Sequence, residues 1–412
     1  MIVKMYFQKN ISLAFCILLL GLFPAFSLPT LQAMLLFMVL GIAVCFRRID
    51  RAAFDQIVIY RNFAFTQFAL FFLLNALVFE VQEGSRDHYR TIAIESWSVT
   101  IFCLGVLALW LQLNSPSDVK QALIRWLPVG LTASFLVATA VYIWGNQGPR
   151  IVVFTSGALF PPLWFLVLTM CSFAWFSEMS PWHKIWRLAL LFMAGVMVIY
   201  GSARLLLLAW IFSGAILAVW LSLGAEPSQR KRALFVTCLC VTLAAGGIIV
   251  VDSFAGGYLF TRMSSFRTVD FTYDSISAQF LRLKLWNASL SIIADNPWLG
   301  IGKSNERLAI EQELGWDKWF RAHQTYLSYL IAGGVPALIS GLILQSPVLA
   351  FLNSKKRSAL FPAFLGLGFV ITMNCLTDSV FQSAVNVQGF MAALLVFLRA
   401  SDSNRTALSR TP

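Results

Sequence analysis

Four basic side chains stand out in this sequence by type and position. Arg204 ends Gly201-Ser-Ala-Arg204, a short break between two apolar runs, and Arg150 ends the short stretch Asn146–Arg150. Arg282 lies four residues before Trp286, and His323 sits in Arg321-Ala-His-Gln-Thr-Tyr326, directly ahead of another apolar run. A guanidinium binds phosphate oxygens bidentately and stays charged, so an arginine at the edge of an apolar run is suited to holding a phosphate group. Histidine titrates near neutral pH, and its imidazole accepts a proton from a hydroxyl as that oxygen attacks, or simply orients a substrate. Each residue also has an ordinary reading. Arg204 can snorkel to lipid headgroups. Arg282 can sit on a solvated helix face or stack near Trp286, and His323 can be a structural hydrogen-bonder at a helix start. The other histidines share no such motif: His183 lies in Pro181-Trp-His-Lys184, and His88 lies in Arg86-Asp-His-Tyr-Arg90. No Asp-x-Asp pair of the kind that carries Mg²⁺ is found in the outer segments, so the expected chemistry needs no metal or other cofactor.

Such residues need a frame, and the composition specifies one. Of 412 residues 58% are hydrophobic and 12% charged, against about a quarter charged in a soluble domain, and the mean hydropathy is +0.75. Disorder, coiled coil and a disulfide-stapled secreted fold are excluded together. The reading is an all-α integral membrane protein. At about 20 apolar residues per span the chain holds about twelve helices. They bracket as Ile11–Leu28, Thr30–Phe46, Asn62–Phe79, Ile94–Leu113, Leu123–Gly145, Ile151–Phe176, Leu188–Tyr200, Leu205–Leu223, Ala233–Val251, Thr325–Phe351, Ala359–Thr377 and Ser383–Leu398. All seven cysteines fall in apolar runs, where they act as small buried hydrophobes rather than as disulfides or metal ligands.

The net charge of +12 would point to nucleic acid in a soluble protein; here it sets orientation, and no nucleic-acid partner is expected. With the N-terminus inside, 19 of the 31 Lys and Arg fall on the inner side, as basic residues in short loops do. The layout is then 1–251 with nine spans, an outer insert at 252–322, and 323–412 with three spans and an inner tail. The insert balances eight basic against eight acidic residues and reads as a folded cap. Within it, Ala278–Ala294 reads as an amphipathic helix with Leu283, Trp286, Leu290 and Ile293 on one stripe and Ser289 on the surface. Asn296-Pro297 stops that helix, Gly300-Ile-Gly302 makes a tight turn that crowds backbone N–H groups, and Asn305–Phe320 reads as a second short helix. The tenth span carries the flexible pair Gly333-Gly334.

Taken together, Arg282 with Trp286, Asp295-Asn-Pro-Trp-Leu-Gly-Ile-Gly302, His323-Gln-Thr-Tyr-Leu and Gly333-Gly-Val-Pro336 resemble the signature of the bacterial O-antigen ligase and polymerase superfamily. Gly201-Ser-Ala-Arg204 resembles its upstream Ser-Arg element. The likeness is strongest from about Tyr200 to Ala337. The chain departs from it in having Gln324 where the family commonly has Asn, and Ala203 where it has Ser. The resemblance implies a GT-C-like, metal-independent, inverting glycosyltransferase of the Gram-negative inner membrane with its site facing the periplasm. It implies undecaprenyl-diphosphate-linked O-antigen as donor and lipid A core as acceptor, with membrane lipids around it. Arg204 and Arg282, with Arg150 as a third contact, would hold the donor diphosphate, and His323 would serve the acceptor hydroxyl.

Two rivals are weighed. A polymerase shares the donor and elongates the glycan instead; the single large outer segment favours the ligase by analogy. A twelve-span secondary transporter would place ionisable groups near the bilayer midplane and show two similar halves, and neither is seen in this sequence.

Overall fold

The computed structural model describes residues 2–26, 106–107, 110–111, 114–144, 160–200, 204–224, 281–302, 305–315, 322–352, 357–376, 378, 380–382 and 384–401. All regular structure among these residues is helical. The second, third and ninth apolar runs, most of the fourth, the first part of the insert, Arg150, and Cys45, Cys103, Cys238 and Cys240 lie outside the described residues. The described helices are α1 (Ile2–Phe26), α2 (Pro116–Trp144), α3 (Phe160–Ser172), α4 (Pro181–Tyr200), α5 (Arg204–Gly224), α6 (Leu281–Asp295), α7 (Glu306–Leu314), α8 (Thr325–Gln345), α9 (Arg357–Phe364), α10 (Ile371–Cys375) and α11 (Ala384–Ser401). A π-helical turn, Leu365–Val370, joins α9 to α10 without a break. Among the described residues, four helical segments are long and apolar enough to cross a membrane: Pro116–Val141, Pro181–Ile199, Leu205–Leu223 and Thr325–Leu352. The protein is a membrane protein built on helices, as the composition demands.

Close backbone approach holds the bundle together, because in lipid helices associate through packing of small residues rather than through exclusion of water. Gly21 of α1 and Gly130 of α2 meet so tightly that a Cβ on Gly130 would come within 2.3 Å of the Leu18 carbonyl oxygen. Ser134 Oγ donates to the Gly21 carbonyl at 3.0 Å. Every residue of α3 is buried, and Gly366 in the π turn lets the α9–α10 rod lie against the Val167 carbonyl. Cys16, Cys171 and Cys375 are buried, as expected. Trp164 and Trp210 are core residues, 0% and 4% exposed.

Arg187, in the second turn of α4, is fully buried. Its guanidinium donates to the carbonyl of Ser172 at the end of α3 and to that of Ile124 in α2, so it fastens α4 to both. Charge-assisted bonds of this kind are worth about 1.5–3 kcal/mol each. Arg187→Leu is therefore expected to lower stability by about 3 kcal/mol, read as a clear fall in melting temperature in detergent; an unchanged melting curve would contradict this role.

Three basic residues that the charge bias assigns to the inner side, Lys120, Lys184 and Arg399, lie at one end of the bundle. Lys120 pairs with Glu178, Lys184 lies over Phe176, and Arg399 donates to the Asn114 carbonyl. Asn386, near the other end of α11, bonds the Val380 carbonyl and accepts from Trp164. That opposite end carries the candidate site.

The tenth apolar run is not a straight rod. Gly333 (φ −147°, ψ 18°) and Gly334 (φ 62°, ψ −155°) break α8, and the two halves fold on each other. Tyr326 Oη donates to Gln345 Oε1 at 3.0 Å, although on a straight helix these residues would be about 28 Å apart, far beyond the reach of their side chains. A Cβ on Gly341 would meet the Tyr329 ring at 2.3 Å. The second half, with the 3₁₀ segment Ser346–Leu352 that follows it, rises about 30 Å, the thickness of the hydrocarbon core. The glycine pair expected to be flexible is thus a defined chain reversal.

Candidate functional site

The reversal is locked by the turn that follows α6. Ile301 N–H donates to the Ile331 carbonyl at 2.7 Å, Gly302 N–H to Ala332 at 3.0 Å, and Val335 N–H to Pro297 at 3.0 Å. The break in α8 frees the Ile331 and Ala332 carbonyls and the Val335 N–H, and the turn supplies the two donors and the acceptor that a continuous helix would have supplied. The N–H groups of Gly300-Ile-Gly302 that the sequence places close together are therefore spent on the protein itself. Gly300 and Gly334 both have positive φ, and a Cβ on Gly334 would lie 2.2 Å from the Trp298 carbonyl oxygen. Only glycine fits at that contact.

Helix α6 shows a second departure from expectation. Its buried face is Leu285, Ala288, Ser289 and Ile292, whereas Leu290 is 53% exposed. The helix is rotated by about a third of a turn from the expected stripe. Ser289 is buried because its hydroxyl bonds the Leu285 carbonyl within the helix. Two apolar stripes run along this segment, and packing against α7 and α8 selects the one through Leu285. Helix α7 is shorter than expected, ending at Gly315 in the left-handed conformation. Leu285, Ile292, Ile310, Ala322 and Ile331 form one cluster, so α6 and the first half of α8 lie together and both lead toward the reversal. Arg282, in the first turn of α6, is thereby carried to the His323 end of α8.

His323 adopts φ +50°, the left-handed region that side chains other than glycine rarely occupy. Three contacts hold the chain around it. On its N-terminal side, Ala322 N–H donates to Glu306 Oε1 at 3.2 Å. On its C-terminal side, the Gln324 side chain caps α8 by accepting from Leu327 N–H, as short polar side chains do at a helix N-terminus. Thr325 Oγ1 then donates to the Asp378 carbonyl at 2.7 Å and accepts from Val380 N–H at 3.0 Å. These last bonds bring the loop after α10 to the histidine. Nδ1 of His323 lies 3.6 Å from Asp378 Oδ1, with the side chains 44% and 24% exposed. The loop after α10 thus sets a carboxylate beside the imidazole.

Asp378 went unrecognised in the sequence, although a signal was present. It is the only acidic residue between His323 and Asp402, at the outer end of an apolar run.

Arg204 is placed by its backbone, its side chain lying outside the described ones. Helix α5 packs along the α9–α10 rod, and Trp220 stacks on Phe361 with ring centroids 6.0 Å apart. From that pair, Arg204 lies sixteen residues back along α5 and Asp378 seventeen residues on along the rod, roughly 24 Å in each case. The start of α5 and Asp378 therefore stand at the same end of the bundle. Arg282 is exposed at the start of α6, and the cation–π contacts among the described residues are those of Lys120 and Lys184 rather than a stack on Trp286. Arg150 lies outside the described residues.

No curated protein matches the chain. Residues 188–342 match the family model described as O-antigen ligase. The matched segment holds Arg204, Arg282, the Gly300–Gly334 lock and His323, while Asp378 falls beyond it. Over that segment the chain is similar to the O-antigen ligase family.

Proposed function

We propose that the protein is an O-antigen ligase: a glycosyltransferase that moves a glycan from undecaprenyl diphosphate to a sugar hydroxyl of lipid A core, on the periplasmic side of a Gram-negative inner membrane. The observation that carries the reading is the His323–Asp378 pair at the arginine-bearing end of a bundle whose central segment matches the O-antigen ligase family. The acceptor hydroxyl oxygen attacks the anomeric carbon. A new C–O bond forms as the bond to the diphosphate breaks, and the leaving oxygen takes the electron pair. The hydroxyl proton passes to His323, and the adjacent Asp378 stabilises the imidazolium. Attack opposite the leaving group inverts the anomeric centre. Arg204 and Arg282, with Arg150 as a third contact, neutralise the charge that develops on the diphosphate, so no metal is required.

Ligase and polymerase share this donor and differ in acceptor, so the products left behind by a deletion separate them. Loss of a ligase leaves lipid A core bare while long glycan accumulates on undecaprenyl diphosphate, and this is the expected result on gels of the glycolipid. A ladder collapsed to core plus one repeat unit would assign the polymerase instead. An unchanged ladder would overturn both.

A further inference from the structure

Resting on that reading, we infer that Glu306 is a positioning residue for His323. Counted in the sequence, Glu306 is one of eight acids balancing a polar cap, yet it is only 1% exposed. A carboxylate is taken out of water only where hydrogen bonds compensate its desolvation. Here one oxygen, Oε1, accepts from Ala322 N–H at 3.2 Å and from Ser328 Oγ at 2.8 Å. Ala322 is the residue before the histidine, and Ser328 is on the first turn of α8 just after it. The carboxylate thus bridges the two sides of the one segment that carries His323 at φ +50°. A left-handed histidine costs about 1–3 kcal/mol and persists only where its surroundings over-determine it. On the N-terminal side that restraint is Glu306, and opposite it stands the Thr325–Asp378 contact. The carboxylate touches no reacting atom; it acts by keeping the ring aimed at the acceptor with Asp378 behind it.

The test is the transfer rate of the purified full-length protein with undecaprenyl-diphosphate-linked glycan as donor and rough lipopolysaccharide as acceptor. Glu306→Ala is expected to lower kcat by at least about tenfold with donor KM within about twofold, because the arginines that hold the donor are untouched. Glu306→Gln keeps an oxygen that accepts both bonds, and its kcat should stay within about threefold of the parent. Glu306→Asp withdraws the carboxylate by one methylene and should behave like alanine; if the alanine variant does not accumulate, the Asp and Gln variants carry the comparison. A glutamine variant as slow as aspartate, or a donor KM that rises in step with the fall in kcat, would overturn the proposal. His323→Asn measured alongside separates the two layers. If it is inactive while every Glu306 variant matches the parent, the positioning role fails alone; if it is fully active, the reading of His323 fails.

Discussion

Replacing His323 with asparagine is expected to reduce glycan transfer by about 10²–10⁴-fold, the range general base catalysis contributes. Asparagine is the informative substitution because it tolerates the left-handed conformation that His323 adopts. The backbone therefore keeps its path, and the loss is chemical. Asp378→Asn should slow transfer by at least about tenfold, since it leaves the loop in place but removes the charge beside the imidazolium. The double variant should be little slower than His323→Asn alone, because the carboxylate acts through the ring. Equal melting temperatures for all three proteins are expected, as the His323 side chain is 44% exposed. Transfer by His323→Asn at the parental rate would remove the imidazole from the mechanism.

The arginines should show an effect of comparable size with a different signature. Arg204→Ala and Arg282→Ala are each expected to cut kcat by about 10²–10³-fold, as loss of one preorganised donor to a developing oxyanion does. Lysine should restore only part of the rate, because a point charge cannot reproduce the bidentate fork. Protein levels should be unchanged, since Arg282 is exposed. Activity should also survive EDTA. Complete loss on chelation, restored by Mg²⁺, would mean that a metal carries the charge assigned to the arginines.

How far the sequence reads into this protein depends on the range of the force involved. The start of α8 at Thr325 and the end of α10 at Cys375 lie within about two residues of the limits of their apolar runs, because partition into lipid is decided residue by residue along the chain. The convergence of Arg204, Arg282 and His323 at one end follows from the same alternation of apolar and polar segments. The face of α6 is a different matter. Leu283, Trp286, Leu290 and Ile293 make as regular a stripe as Leu285, Ala288 and Ile292, and only the partners α7 and α8 distinguish them.

By itself, then, the sequence determined a helical membrane protein and the limits of some of its described helices, and it singled out three polar residues beside apolar runs. Tertiary structure alone decided that α8 turns back at Gly333-Gly334, that Asp378 faces His323 from 55 positions away, and that Glu306 is buried against Ala322 and Ser328. The physical reason is common to all three. Each depends on a hydrogen bond, an ion pair or a close backbone contact between segments distant in the chain, whose geometry exists only once the helices have packed. The hydrophobic partition that places the spans needs no such partner.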